Sequence, residues 1–301
     1  MFRLRSVLGI CMLVLADSVL AMAGDGGDYT IRSNASEVRV LFTATDSQGR
    51  RVTQLQPKDV AVVDNEEVVR RFRSFGPADE TPLNVVIMVD TSASLARQIT
   101  SEIELVKNFI QSSNWRAGDL ISVVTFSGTH ADVICSRNCR ENIPGLTSPR
   151  AGNATPLYDA LLTASELIAR THEAATRSAI IVLSDGGDNI SMHTLAQAIA
   201  AAQAVEASVY TVNTRTQRAD AQGDGALEQL AVETGGVAYA PGRATALTLN
   251  AVLDDLRQGF VLTYECPSSA AAHHEIRVVP ALDSHLRFHS RQSYTALSAD
   301  Q

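Results

Sequence analysis

Three short clusters hold side chains able to do chemistry together: Asp90-Thr-Ser92-Ala-Ser94, Asn153-Ala-Thr155 and Ser184-Asp185-Gly186. Asp90 and Asp185 offer carboxylates, and Ser92, Ser94 and Thr155 offer hydroxyls. This is a hard-oxygen set without His or Cys. It suits Mg²⁺, with Mn²⁺ or Ca²⁺ as alternatives, rather than zinc or copper. Hydroxyl ligands are neutral, so a cation held mainly by them stays short of negative charge and attracts an outside carboxylate. The chemistry expected is therefore capture of a protein partner that presents an Asp or Glu. Each cluster alone is weak evidence, because Asp, Ser and Thr are common in turns and helix caps. Thr155 before Pro156 also suits a plain helix start.

The elements between the clusters give them a frame. Leu83 to Val89 is a continuous apolar run, as are Leu120 to Phe126 and Ser178 to Leu183. Such runs read as strands buried on both faces. Ala131 to Cys135 is read as a third strand of the kind after Leu120 to Phe126. Helical spacing is expected over Gln98–Ser113, with Ile99, Ile103, Val106 and Ile110 on one face. Further helices are expected over 156–170, 194–206, 226–233 (with Gly235-Gly236 as its stop) and 247–258, and strands over 208–212 and 237–240. Strands alternating with helices imply an α/β fold: a doubly wound, mostly parallel sheet covered on both faces. Functional groups of such sheets lie at the C-terminal ends of the strands, which is where Asp90 and Asp185 fall.

Both ends of the chain are β-rich instead. Glu37 to Thr45 alternates apolar and polar residues. Val60 to Val63 and Val68 to Phe75 flank the polar turn Asp64–Glu67. After residue 258, strands are expected over 260–266, 275–280 and 286–294. The expected organisation is an N-terminal β-segment (29–81), the α/β domain (82–258) and a C-terminal β-segment (259–297) that packs with the first in one small sheet domain.

Residues 1–23 read as a cleaved signal peptide. Arg3 and Arg5 precede the short apolar run Val7 to Ala16, and Ala21-Met22-Ala23 supplies small residues for the peptidase. The expected location is secreted or periplasmic, with no membrane span after cleavage. The 301 residues carry a net charge of −8, which becomes −9 once Arg3, Arg5 and Asp17 leave. No basic run with interleaved aromatics occurs, so nucleic acid is not an expected partner. In an oxidising compartment Cys135 and Cys139 could close a small disulfide, or one of them could join Cys266. His273, His274, His285 and His289 lack a ligand spacing and read as solvated surface residues.

Asp90-x-Ser92-x-Ser94, Thr155 and Asp185-Gly186 resemble the metal-ion-dependent adhesion site of von Willebrand factor type A domains. The Thr155-Pro-Leu-Tyr-Asp-Ala helix opening and the Leu-x-x-Leu-Ala-x-x-Thr-Gly-Gly passage ending at Gly236 are similar to that family too. Around it, Gly49-Arg, Leu55, Asp59-Val and Phe72–Phe75, with Phe260–Tyr264 and Arg291–Tyr294, resemble bacterial secreted "VWFA-related" proteins. The resemblance implies that Ser92 and Ser94 are direct metal ligands and that Thr155 joins them when a partner binds. It implies that Asp90 and Asp185 act through water and hydrogen bonds. Ala93 stands where many members have Gly, and Asn153-Ala154 where a Gly pair is common. The expected function is cation-dependent protein binding (adhesion or scaffolding), not catalysis. Two other readings compete with it. A metal-dependent hydrolase or phosphatase would use a second carboxylate two residues after Asp90, where Ser92 stands, and the chain has no G-x-S-x-G and no G-x-x-x-x-G-K-[ST]. A scaffold with a vestigial metal site is the other.

Overall fold

The computed structural model describes residues 37–69, 71–141, 151–171, 176–215, 221–242, 244–267, 273–282 and 285–295. The leader read over residues 1–23 lies outside them. Strand β1 (Glu37–Thr45) alternates buried and open positions along its whole length, as a strand with one face on a core does. β2 (Val60–Asp64) and β3 (Glu67–Val69) form a hairpin, and β4 (Ser74–Pro77) follows. The single strand expected over 68–75 is thus two, and they belong to different sheets.

The α/β part begins with β5 (Leu83–Asp90), every residue of which is buried. It continues through α1 (Ile99–Ser112), β6 (Leu120–Ser127), β7 (His130–Cys135), α2 (Leu157–Thr171) and β8 (Arg177–Ser184). α3 (Leu195–Ala204), β9 (Ser208–Asn213), α4 (Ala221–Thr234), β10 (Ala238–Tyr239) and α5 (Ala246–Arg257) complete it. The six strands lie in the order β10-β9-β8-β5-β6-β7. All neighbours are parallel except β6 and β7. β5 therefore sits inside the sheet, and its alternate side chains point to two cores. Val85, Ile87 and Val89 pack with α1 and α5, while Val86 and Met88 pack with α2 and α3. This is the doubly wound arrangement expected of continuous apolar strands.

Two local expectations change, and the expected Cys135–Cys139 disulfide is present. β7 is an antiparallel edge strand, not a buried one, and Val133 is 46% exposed. It turns back from β6 at Gly128-Thr129, and no strand among the described residues covers its other side. Its end is tied down by a disulfide between Cys135 and Cys139, which leaves Cys266 as a thiol. α4 starts at Ala221, five residues earlier than its apolar spacing suggests, and runs through Gly223 and Gly225.

The chain ends with β11 (Phe260–Glu265), β12 (His273–Pro280), β13 (Arg287–Ser290) and β14 (Ser293–Thr295). The strand expected over 286–294 breaks at Arg291 and Gln292, so its two halves enter different sheets. The β-rich segments form two four-stranded sheets, β13-β1-β11-β4 and β14-β12-β2-β3, rather than one. They share a core of Val40, Phe42, Val62, Leu262, Ile276 and their neighbours. This sandwich is bonded to the α/β part: Arg51 pairs with buried Asp255, which also accepts the Tyr210 hydroxyl at 2.6 Å. Gln203 donates to Ser293 Oγ at 2.9 Å, and His289 Nε2 lies 2.6 Å from the Gly236 carbonyl. No helix among the described residues is long and apolar enough to cross a membrane.

Candidate metal centre

β5 and β8 are parallel neighbours in register, Val89 opposite Leu183. Their C-terminal ends therefore bring Asp90 and Ser184 side by side. The Ser184 hydroxyl donates to Asp90 Oδ2 at 2.6 Å, and the Ser92 amide donates to Asp90 Oδ1 at 2.9 Å. Asp90 is fully buried, and burial pushes its carboxyl up to about 6 against the pull of the Ser184 and Ser92 bonds. The negative charge of Asp185 pushes the same way. Both carboxylate oxygens of Asp90 are thus occupied by protein donors, which holds the group fixed behind the loop.

The loop after β5 presents Ser92 and Ser94 together, their hydroxyl oxygens 3.1 Å apart. Ser92 is buried and Ser94 exposed, so the pair opens from the sheet edge to solvent. The second cluster joins it through the backbone. Gly152 pairs with Ser92 in a short bridge, and its amide donates to the Thr91 carbonyl at 3.0 Å. Thr155 is locked to the third cluster: its amide donates to Asn189 Oδ1 at 2.9 Å, and the Asn189 amide returns a bond to the Thr155 carbonyl at 3.1 Å. Asp185 lies in that third loop, where its Oδ1 accepts the Gly187 amide at 3.2 Å. Gly186 is required there, because its φ is +82° and a Cβ would lie 2.2 Å from the Gly223 carbonyl oxygen.

All five residues singled out in the sequence therefore lie on one rim. Four supporting groups were not singled out for these roles. Ser184 anchors Asp90, Asn189 anchors Thr155, and Asp188 Oδ2 accepts the Tyr158 amide at 3.0 Å. The fourth is Glu102 on α1. It is 4% exposed, with both carboxylate oxygens buried. Burial pushes its carboxyl up to about 8; the Thr214 hydroxyl opposes this, and the charges of Asp90 and Asp185 reinforce it. The signal for Glu102 was available, since it falls on the apolar stripe of α1 between Ile99 and Val106. Asp159 is structural, as its position in the first turn of α2 suggests. Burial works against its charge, but bonds from the Met192 and His193 amides and the His193 ring outweigh it and hold the carboxyl below its usual range.

Residues 85–187 match the von Willebrand factor type A domain family. The chain carries a von Willebrand factor type A domain. The matched residues span all three clusters, from Asp90 to Asp185. Among solved structures, the domain is similar to an aerotolerance-related membrane protein from Bacteroides fragilis, at 14% identity and TM-score 0.44 over 58% of this chain and 98% of that one. It is similar to the manganese-loaded TRAP protein of Plasmodium vivax, at 12% identity and TM-score 0.46 over 78% and 98%. It is also similar to a von Willebrand factor type A protein from Catenulispora acidiphila, at 12% identity and TM-score 0.46 over 87% and 75%. No match is found among curated proteins.

Proposed function

We propose that the von Willebrand factor type A domain of this exported protein binds a divalent cation, Mg²⁺ in the first instance, and through it a carboxylate of a partner protein. The observation that carries this reading is the gathering of Ser92, Ser94, Thr155 and two carboxylates, Asp90 and Asp185, at the ends of β5 and β8. Burial raises the carboxyls of Asp90 and Glu102, and the charge of Asp185 pushes both the same way. Arg215 gives its guanidinium to the Asp185 carbonyl and to Asp224. A rim of acids and hydroxyls fits an added hard cation.

Ser92, Ser94 and Thr155 are the residues that would hold the ion. Asp90 and Asp185 would orient the loops and balance charge, since Asp90 already spends both oxygens on protein donors. A bound cation supplies a positive point that a partner Asp or Glu can neutralise. Exposed Ser94 places that point within reach of another protein. On this reading the domain is a binding module and not an enzyme: Ser92 occupies the place where a phosphoryl-transfer site of this kind would need a second carboxylate.

Calorimetric titration of Mg²⁺ and Mn²⁺ into the wild type and into Ser94→Ala and Asp90→Ala tests the site. Binding by the wild type is expected, with marked weakening in Ser94→Ala and loss in Asp90→Ala at unchanged far-ultraviolet circular dichroism. Equal binding by all three proteins would overturn the assignment. Affinity capture in Mg²⁺ against EDTA tests the partner: recovery of the same protein in both buffers would remove the cation from the mechanism.

A further inference from the structure

The β-sandwich holds a second chemical constellation, far from the metal rim in sequence and made of other residue types. In β2, β11 and β12 the inward positions alternate, so Asp64, Tyr264 and His274 all face the shared core. Asp64 and His274 are each 1% exposed. His274 Nδ1 lies 2.6 Å from Asp64 Oδ1. The other carboxylate oxygen accepts the hydroxyls of Tyr264 at 2.8 Å and Tyr294 at 2.7 Å. His274 and Tyr294 are paired across β12 and β14, and their rings stack at 4.6 Å. Cys266 follows β11 directly. Its sulfur lies 3.7 Å from His274 Nε2 and 3.2 Å from the Tyr294 hydroxyl oxygen.

We infer that Cys266 is a nucleophilic thiol, served by His274 as its base and by Asp64 as the residue that positions that base, and that it takes small disulfides. The tautomer follows from the contacts. A carboxylate only accepts, so the 2.6 Å contact places a proton on His274 Nδ1 and leaves the Nε2 lone pair facing Cys266. Asn65 Nδ2, 3.3 Å from the same Nδ1, is a donor and cannot supply the proton's acceptor. Between His274 and Tyr294, the imidazole is the group that can take the thiol proton, because the tyrosine hydroxyl is already a donor to Asp64. Two ring stacks hold the assembly still: Tyr294 covers His274 on one side, and the Arg291 guanidinium lies 5.5 Å from the Tyr294 ring centre. Cys266 is half-buried while its base and that base's anchor are buried. Cys266 is thus the most open member of the three. A nucleophile, a base within bonding reach and a third group orienting the base is the arrangement that activates a thiol.

The reaction balances as thiol–disulfide exchange. His274 Nε2 takes the Cys266 proton, and the thiolate attacks one sulfur of the small disulfide. The Cys266–S bond to that sulfur forms as the original S–S bond breaks. The other half leaves as a thiolate and recovers the proton from His274. Cys266 is oxidised, and the departing half is reduced.

The test measures the reaction of the full chain with an aromatic disulfide whose released thiolate is coloured, at pH 7, before and after unfolding in urea. The rate seen in a Cys266→Ser chain is subtracted from both. The folded protein is expected to react ~10-fold or more faster than the unfolded chain, the reverse of what half-burial alone does to a thiol. His274→Gln should bring the folded rate down by ~10-fold or more at an unchanged circular dichroism spectrum. Mass spectrometry after treatment with glutathione disulfide should place the adduct on Cys266. A folded rate below the unfolded one, or an adduct elsewhere, would overturn the inference, and this comparison needs no variant of the buried residues. A folded His274→Gln protein with the wild-type rate would overturn it as well.

Discussion

Glu102→Gln should stabilise the protein, and by an amount that grows with pH. In the folded state its carboxyl is pushed up to about 8, against an ordinary value of 4.5. Between these two values the folded protein keeps a proton that the unfolded chain has released. Stability therefore falls as pH rises through this window, at about 1.4 kcal/mol for each pH unit. The cost is near zero at pH 4.5, about 3 kcal/mol at pH 7 and at most on the order of 5 kcal/mol above pH 8. Gln has the same shape and no proton to lose, so the variant escapes this cost. Asp90, itself pushed up to about 6 by burial, adds the same downward slope to both proteins and cancels in the difference. Urea unfolding at pH 5, 7 and 8 in EDTA measures it: the midpoint difference should be small at pH 5 and widen in favour of Glu102→Gln by pH 8. Saturating Mg²⁺ should narrow the gap, because a cation at the rim offsets the charges that act on Glu102. A difference independent of pH, or a variant less stable at pH 8, would refute the reasoning.

Two further outcomes follow from contacts already described. Gly186→Ala should cost ~2–4 kcal/mol and weaken Mg²⁺ binding, since φ is +82° and the new methyl meets the Gly223 carbonyl. Gly225→Ala, with open space around its Cβ inside α4, should instead gain ~0.5–1 kcal/mol, so thermal melts of opposite sign check both. Residues 82–258 alone should melt lower than the full chain. Losing Arg51 leaves buried Asp255 with the Tyr210 hydroxyl alone, worth ~1–3 kcal/mol, and the bonds from Ser293 and His289 go too. Identical melting temperatures would refute the idea that the sandwich braces the α/β part.

Much of the α/β part could be read from residue pattern because burial on two faces leaves a plain signature. β5 and β8 are buried throughout and apolar along their central runs, as the inside of a doubly wound sheet requires. The oxygen donors were legible for a related reason: strand ends are where a chain leaves the core, and polar residues there must face something. Partner identities were less legible. β7 has the apolar content of a covered strand, but its place at the sheet edge depends on which strands pair, which local pattern does not encode. The break at Arg291 and Gln292 is of the same kind, since a strand that changes sheets looks locally like one strand. His274 is an instructive miss. Read as a surface histidine, it lies in the strictly alternating segment His273–Val278, where it shares a face with Ile276 and Val278. Period two placed it inside; its polarity argued otherwise. Asp64, on the face of Val60 and Val62, supplies the partner that makes a buried imidazole tolerable.

The lacing of the two chain ends has a consequence in time. β1 ends at Thr45, and its central partner β11 begins at Phe260, 215 positions later. At a synthesis rate of ~5–20 residues per second, the first strand exists for ~10–40 s before its neighbour is made. The six-stranded sheet draws its pairs from shorter separations and can assemble in that interval. β1 cannot, because neither of its partners, β11 and β13, has yet been made. The sandwich therefore closes only after β11 to β14 have been made, later than the pairs of the six-stranded sheet.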